Sequence, residues 1–295
     1  MGRMSVIGFG RSGEAAAMLA ASDGFAVLVS DKSDSEAMRV RADRLSQKGI
    51  QVELGVHSEK ILESDIIVLS PGVPMKLDIV RRAIEQRIPI VSEIEFAFRH
   101  EQGRVIAITG SNGKSTTATL IARVLENAGF TTFLAGNIGM AYSAVVTHSS
   151  PESLSVLELS SFQLEAMDSF HPRIAVLLNL SPDHLDRYDT AEEYYRAKFH
   201  IFDNQNAADY AVLWKEQNEV ARIARDIKSR VMLFSAGTDG ELAATVRNGI
   251  ICRGSDEIVR AEEIGIPGPH NLLNALATVA ATARWPVTHV TPSIT

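Results

Sequence analysis

Cysteine is nearly missing from this chain: Cys252 is the only one in 295 residues. That excludes a disulfide framework and a cysteine-based zinc site, and it fits a reducing cytoplasm. No apolar run approaches membrane-spanning length, and the N-terminus lacks the basic-then-apolar plan of a signal peptide. An excess of positive charge is missing as well. The net charge of −7 argues against a general nucleic-acid binder. Internal repeats and low-complexity tracts are also absent from the sequence. What remains is an ordinary globular balance, 45% hydrophobic and 22% charged. The length suits about two domains. The expectation is a cytoplasmic protein with neither a membrane nor a nucleic-acid partner.

The most informative segment is Ile106 to Thr116, Ile-Ala-Ile-Thr-Gly-Ser-Asn-Gly-Lys-Ser-Thr. An apolar strand runs into a glycine-rich turn, followed by a helical stretch over Ala118–Ala128. Backbone N–H groups of such a turn, with a helix N-terminus behind it, cradle phosphate oxygens. Gly110, Ser111, Asn112, Gly113, Lys114, Ser115 and Thr116 are therefore the expected ATP contacts. Lys114 would reach the outer phosphates and Ser115 would hold Mg²⁺. Ile108 stands where the usual spacing has glycine, so the loop is a variant and a common GTPase or kinase is not the first reading.

Strands alternate with helices along both halves, which predicts parallel sheets with crossovers. In the first half, strands are expected at Met4–Gly8, Ala26–Ser30, Asp65–Ser70 and Pro89–Ser92, with helices through Ala20, over Asp34–Gln47 and over Lys76–Gln86. The chain turns polar around His100–Gly103, so the domain boundary is placed there, giving 1–101 and 102–295. In the second half, strands are expected at Thr131–Ala135, Leu154–Glu158, Ile174–Asn179, Tyr210–Leu213 and Arg230–Phe234. Asn248-Gly249 reads as a hairpin turn, and a last helix runs from about Asn271 to Arg284. The fold class is α/β: a Rossmann-like parallel-sheet domain followed by an ATPase domain of the phosphate-loop type.

Gly8-Phe9-Gly10-Arg11-Ser12-Gly13 follows the first strand and opens a helix. The first glycine permits the turn, the second lets a diphosphate approach, and the third allows close packing. Asp31 stands about 20 residues on, where an acidic residue is expected. The pattern specifies a diphosphate and not its base, so NAD and other nucleotide diphosphates remain open, as does a turn without ligand.

Glu158, in Leu-Glu-Leu-Ser-Ser-Phe-Gln, ends a buried strand at the sheet edge where ligands gather. It is a natural further Mg²⁺ ligand or, alternatively, a helix cap. His184, in Asn-Leu-Ser-Pro-Asp-His-Leu-Asp-Arg, sits in the same kind of loop, with Asp183 and Asp186 available to orient it. Lys198 lies on an amphipathic helix over Ala191 to about Phe202. Its spacing alone predicts a solvated lysine.

Thr-Gly-Ser-Asn-Gly-Lys-Ser-Thr (109–116) resembles the ATP loop of the Mur ligases of peptidoglycan synthesis and of the related folylpolyglutamate synthetases. Further strings resemble the D-glutamate-adding branch: Glu-Leu-Ser-Ser-Phe-Gln-Leu-Glu (158–165), Gly-Asn-Ile-Gly (136–139), Asn-Leu-Ser-Pro-Asp-His-Leu-Asp-Arg-Tyr (179–188), Ser-Pro-Gly-Val-Pro (70–74) and Ser-Glu-Ile-Glu-Phe (92–96). The match runs from Met4 to about Ala280.

The resemblance implies an ATP-dependent, amide-bond-forming ligase. Its substrates would be UDP-N-acetylmuramoyl-L-alanine, ATP and D-glutamate, and it would act as a monomer in the bacterial cytoplasm. It assigns the UDP-substrate to Gly10, Arg11, Ser12, Asp31, Lys32, Gly72, Asn137, Ser160 and Gln163, and adenine to Asn271. Lys114, Glu158, His184 and Lys198 would form the catalytic set. Two Mg²⁺ sites would draw on Ser115, Glu158, His184 and a carbamylated Lys198. The family carries a third domain that binds the amino acid, and this chain stops at Thr295, where the linker to it would begin. The expectation is a shortened form that is inactive alone. A non-catalytic nucleotide-binding fragment, an NAD-dependent oxidoreductase and another ligase of the Mur or folylpolyglutamate type remain as alternatives.

Overall fold

The computed structural model describes residues 2–183, 187–238, 240–265 and 268–285. Over the first hundred residues the elements are β1 (Arg3–Ile7), α1 (Arg11–Ser22), β2 (Ala26–Asp31), α2 (Glu36–Ser46), β3 (Gln51–Leu54), β4 (Ile66–Leu69), α3 (Asp78–Glu85), β5 (Ile90–Ser92) and α4 (Glu93–Phe98). The chain continues through β6 (Arg104–Thr109), α5 (Lys114–Asn127), β7 (Thr132–Gly136), α6 (Tyr142–Val145), β8 (Leu154–Glu158), α7 (Ser161–Leu164), β9 (Ile174–Leu177) and α8 (Ala191–Phe199). It closes with β10 (Tyr210–Trp214), α9 (Asn218–Ile223), β11 (Arg230–Phe234), β12 (Thr245–Arg247), β13 (Ile250–Arg253), β14 (Asp256–Arg260) and α10 (Pro269–Thr282).

Two compact units result. The first comprises residues 1–101 together with 140–148 and 162–170; the second comprises 102–139, 149–161 and 171–295. In the first unit, β3-β2-β1-β4-β5 form a parallel sheet. The order reverses between β1 and β4, and the Gly8–Gly13 turn leaves the sheet at that switch point. Two carboxylates of α4 draw the added segments in. Glu95 accepts hydrogen bonds from the backbone N–H groups of Asp168, Ser169 and Phe170 and from the Ser169 hydroxyl. Glu93 accepts from the Ser143 N–H at 2.6 Å.

In the second unit the parallel order is β11-β10-β9-β6-β8-β7. β6 reads as a nearly continuous apolar run and is buried over residues 105–109, and α5 and α10 pack against each other on this sheet. Ile106, Val156 and Val176 of the strands meet Ile121 and Leu125 of α5 and Leu276 and Ala280 of α10 in one core. β12 and β13 are antiparallel across Asn248-Gly249. Both turn residues have positive φ, 51° and 76°, as a two-residue hairpin of the primed type requires.

The sequence pattern missed β3 and α4. It also started α5 four residues late, because Lys114, Ser115, Thr116 and Thr117 carry no apolar periodicity. Among the described residues no helix is long and apolar enough to cross a membrane.

Candidate active site

Register brings three strand ends to one edge of the second unit's sheet. Ile108 of β6 pairs with Glu158 of β8, and Gly136 of β7 pairs with the same residue. The phosphate loop, the Glu158 carboxylate and the Gly136–Gly139 turn therefore emerge side by side. The Ser115 hydroxyl donates to Glu158 Oε2 at 2.7 Å, and the Asn137 amide donates to Oε1 at 2.9 Å. Glu158 is 1% exposed. A hydroxyl and a carboxylate in contact, at the N-terminus of α5, supply hard oxygen donors of the kind Mg²⁺ prefers. Among the described residues there is no cluster of three or more histidine, cysteine or carboxylate side chains. Phosphate oxygens and water would have to complete such a coordination sphere, as they commonly do for Mg²⁺.

The loop itself is held from the β9 side. Ser111 N–H donates to the Asn179 carbonyl, and Asn112 N–H to the Asn179 side chain at 2.8 Å. The Ser111 hydroxyl donates to the Ser181 carbonyl at 2.9 Å. The N–H groups of Lys114, Ser115 and Thr116 open α5 and have no intrahelical acceptor, which leaves them for an anion. Gly113 has φ +83°, and a Cβ there would lie 2.2 Å from the Asn274 side-chain oxygen. Lys114 Nζ rests on the Ser111 carbonyl at 2.9 Å. Burial pushes its pKa down, against the opposing pull of Glu158 and Asp183.

Lys198 corrects the expectation drawn from spacing. It is 1% exposed, not solvated. Its Nζ donates to the Gly110 carbonyl at 3.0 Å and lies 4.4 Å from the center of the Tyr194 ring. Burial, helped by the nearby Lys114 charge and opposed by Asp183, pushes its pKa down to about 7. His184 and Asp186 lie outside the described residues.

Beside the loop opens a cavity of about 500 Å³, lined among others by Asn112, Gly113, Trp214, Gln217, Leu273 and Asn274. It has room for a nucleobase. Asn274 lines it, and the side-chain oxygen of Asn271 accepts a hydrogen bond from Asn274. The sequence reading missed Asn274. The two asparagines are three apart and share a helix face, which was the available signal.

In the first unit the three glycines divide their work as the pattern suggests. Gly8 has φ +96°, and a Cβ there would meet Ser70 and Val73. A Cβ on Gly13 would sit 1.9 Å from the Gly8 carbonyl oxygen. A Cβ on Gly10 would meet nothing within 4 Å, so the space beside it is open to a ligand. The Asp31 carboxylate is already engaged: it accepts from Phe9 N–H at 2.6 Å and Ser33 N–H at 2.8 Å. Its first task is to shape the turn. Arg11, Lys32 and Gly72 are exposed, and Ser12 is half-buried. Asn137 and Ser160 belong to the second unit and the buried Gln163 to the first. Asn137 donates directly to Glu158.

Residues 108–282 match the Mur ligase middle domain, and residues 2–92 match the MurD-like N-terminal domain of Mur ligases. The chain belongs to the Mur ligase family. It is 43% identical over 282 residues to the UDP-N-acetylmuramoylalanine–D-glutamate ligase of Geobacillus kaustophilus, covering 95% of this chain and 62% of that protein. The ligase of the same name from Koribacter versatilis is 40% identical, with 94% and 62% covered. The chain thus spans about 62% of the length of these Mur ligase relatives. Among solved structures, a UDP-N-acetylmuramate:L-alanyl-γ-D-glutamyl-meso-diaminopimelate ligase from Neisseria meningitides superposes with a TM-score of 0.67 at 20% identity, covering 99% of this chain and 96% of that one. The UDP-N-acetylmuramate–alanine ligase of Thermotoga maritima gives 0.58 at 21% identity, covering 99% and 67%. At such identity these two likenesses speak for the Mur ligase fold alone.

Proposed function

We propose that this chain supplies the nucleotide-sugar and ATP sites of a ligase that joins D-glutamate to UDP-N-acetylmuramoyl-L-alanine. The observation that carries the reading is the contact of Ser115 with Glu158 at the edge where the phosphate loop leaves the sheet. It is the arrangement a Mg²⁺-dependent phosphoryl transfer needs. The relatives' names and the MurD-like N-terminal match support D-glutamate as the amino acid. A nicotinamide dinucleotide on the Gly8–Gly13 turn would leave Lys114, Ser115 and Glu158 without a role.

In this reading the substrate carboxylate attacks the γ-phosphorus of ATP, forming an acyl phosphate and releasing ADP. The amine of D-glutamate then attacks the acyl carbon and loses a proton. The tetrahedral intermediate expels phosphate and leaves the amide. The chain's part is placement and charge. The open N–H groups of α5 hold phosphate oxygens, Lys114 offsets the negative charge that builds during transfer, and the cavity lined by Asn274 takes adenine. Ser115 and Glu158 would hold Mg²⁺, which when bound neutralizes phosphate charge. For a second Mg²⁺, Lys198 and His184 are the candidates. A lysine cation would repel the metal. A neutral amine can add CO₂ and release a proton, giving a carbamate with oxygen donors, and a pKa near 7 makes that amine available. The single buried cysteine fits a reducing cytoplasm.

The test is phosphate release by the full-length enzyme with ATP, the UDP-linked substrate and one amino acid at a time. Release that depends on D-glutamate supports the reading. Release with L-alanine, diaminopimelate or a dipeptide instead, or with none, overturns it.

A further inference from the structure

We propose that Arg41 is a ligand for the substrate diphosphate at the Gly8–Gly13 turn, with Glu14 acting as its placeholder when no substrate is bound. The inference rests on the reading of that turn as a nucleotide-diphosphate site.

Arg41 lies on α2, yet its guanidinium is seated on the turn. The Cζ atom lies 4.5 Å from the center of the Phe9 ring, and Phe9 is the residue between the first two glycines. Nη2 donates to the Gly10 carbonyl at 3.3 Å. Nε and Nη2 donate to a single oxygen of Glu14, at 2.9 and 2.5 Å. Apart from Glu14, the Phe9 ring and the Gly10 carbonyl keep this planar cation beside the glycine whose flank is open. The Nη1 group has no protein partner among the described residues. Phe9 is itself buried and anchored: it is 1% exposed and its N–H donates to Asp31. A preorganized guanidinium loses little freedom on binding, and its donor fork matches phosphate oxygens.

The ion pair contributes little to stability. Arg41 and Glu14 are about one-third exposed, and exposed ion pairs contribute little. A carboxylate on one edge of the guanidinium is, however, a good stand-in for a phosphate. It neutralizes the cation in the free state and can be exchanged for the diphosphate oxygens. Arg11 and Lys32 are the other nearby cations in sequence, and both are exposed.

The experiment is calorimetric titration of the full-length enzyme with UDP and, separately, with uridine. Saturating Mg²⁺ and a non-hydrolyzable ATP analogue keep the phosphate loop occupied. Arg41→Ala should weaken UDP about tenfold and leave uridine unchanged. Arg41→Lys should recover part of the loss. Glu14→Gln separates the two roles: it releases the guanidinium, so UDP affinity should hold or rise. If Arg41 serves only to pair with Glu14, Glu14→Gln will weaken UDP as Arg41→Ala does, and the inference falls. Equal loss of UDP and uridine in Arg41→Ala also overturns it. If the parent enzyme binds no UDP, the reading of the turn fails first and the inference goes with it. If the parent binds UDP and Arg41→Ala binds it equally well, the inference alone fails.

Discussion

The side-chain nitrogen of Lys198 lies 3.0 Å from the carbonyl oxygen of Gly110, so α8 closes on the phosphate loop across a separation of 88 residues. An ammonium in that place is costly. It is buried, it stands near Lys114, and its π partner Tyr194 offsets only part of the lost hydration. A buried lysine so placed invites chemistry at its nitrogen rather than a purely structural role.

If Lys198 carries a carbamate, Lys198→Ala in the full-length enzyme should lose most activity, and short carboxylic acids should restore part of it by occupying the place the carbamate would fill. Lys198→Arg should not substitute, since it stays cationic. Because the pKa is lowered to about 7, the reactive neutral amine gains population as pH rises through 7. Incorporation of ¹³C-bicarbonate, followed by NMR, should rise over the same range. Undiminished activity of Lys198→Ala without added acid would return Lys198 to a packing role.

Glu158→Ala should abolish Mg²⁺-dependent ATP binding and leave the UDP-linked substrate nearly unaffected. The substitution removes the acceptor for Ser115 and Asn137 at once. Calorimetry with each ligand reads the two sites separately. Equal loss of both affinities would mean that the variant is unfolded.

Gly10→Ala should discriminate ligand space from backbone need. Gly10 has φ −77°, which alanine adopts readily, and its Cβ would meet no protein atom within 4 Å. The melting temperature should barely change while UDP binding weakens. Gly13→Ala, whose Cβ would collide with the Gly8 carbonyl, should destabilize the protein outright. Unchanged UDP affinity in Gly10→Ala would place the diphosphate elsewhere.

Glu93 is fully buried, and desolvation raises its carboxyl from the usual value to about 7. A folded-state pKa above the unfolded one favors the folded state at low pH. That contribution is complete below about pH 4.5 and is lost as pH rises to 7, by about 3 kcal/mol at most. Glu93→Gln keeps an acceptor for Ser143 N–H and carries no charge. It should be more stable than the parent at pH 8, and the gap should close toward pH 5. Denaturant unfolding across that range is the measurement, and a gap independent of pH would show that Glu93 stays ionized in the folded protein.

Local pattern made much of the molecule readable. The alternation of strands and helices, the two glycine-rich turns and the carboxylate at a strand end follow from periodicities and turn chemistry that act over a few residues. Those constraints sufficed to place Lys114, Ser115 and Glu158 on one sheet edge, because parallel strands separated by helices bring their C-terminal ends together. They also sufficed for the Asn248-Gly249 hairpin, whose geometry is set by two residues.

What the sequence left open depended on partners far along the chain. β3 carries Gln51 and Glu53 in its four residues and is a strand because β2 offers it a ladder, not because of its own propensity. Glu93 and Glu95 look like solvent residues of a short helix, and become buried anchors only when segments 140–148 and 162–170 return to them. Asn274 rather than Asn271 lines the base-sized cavity because of how α10 meets α5 at Gly113. The burial of Lys198, and with it the low pKa, exists only once α8 folds over Gly110. Sequence determined most of the elements and where the two glycine-rich turns fall, since those depend on near neighbors. Tertiary structure decided which polar side chains leave water, because desolvation depends on everything that packs around them.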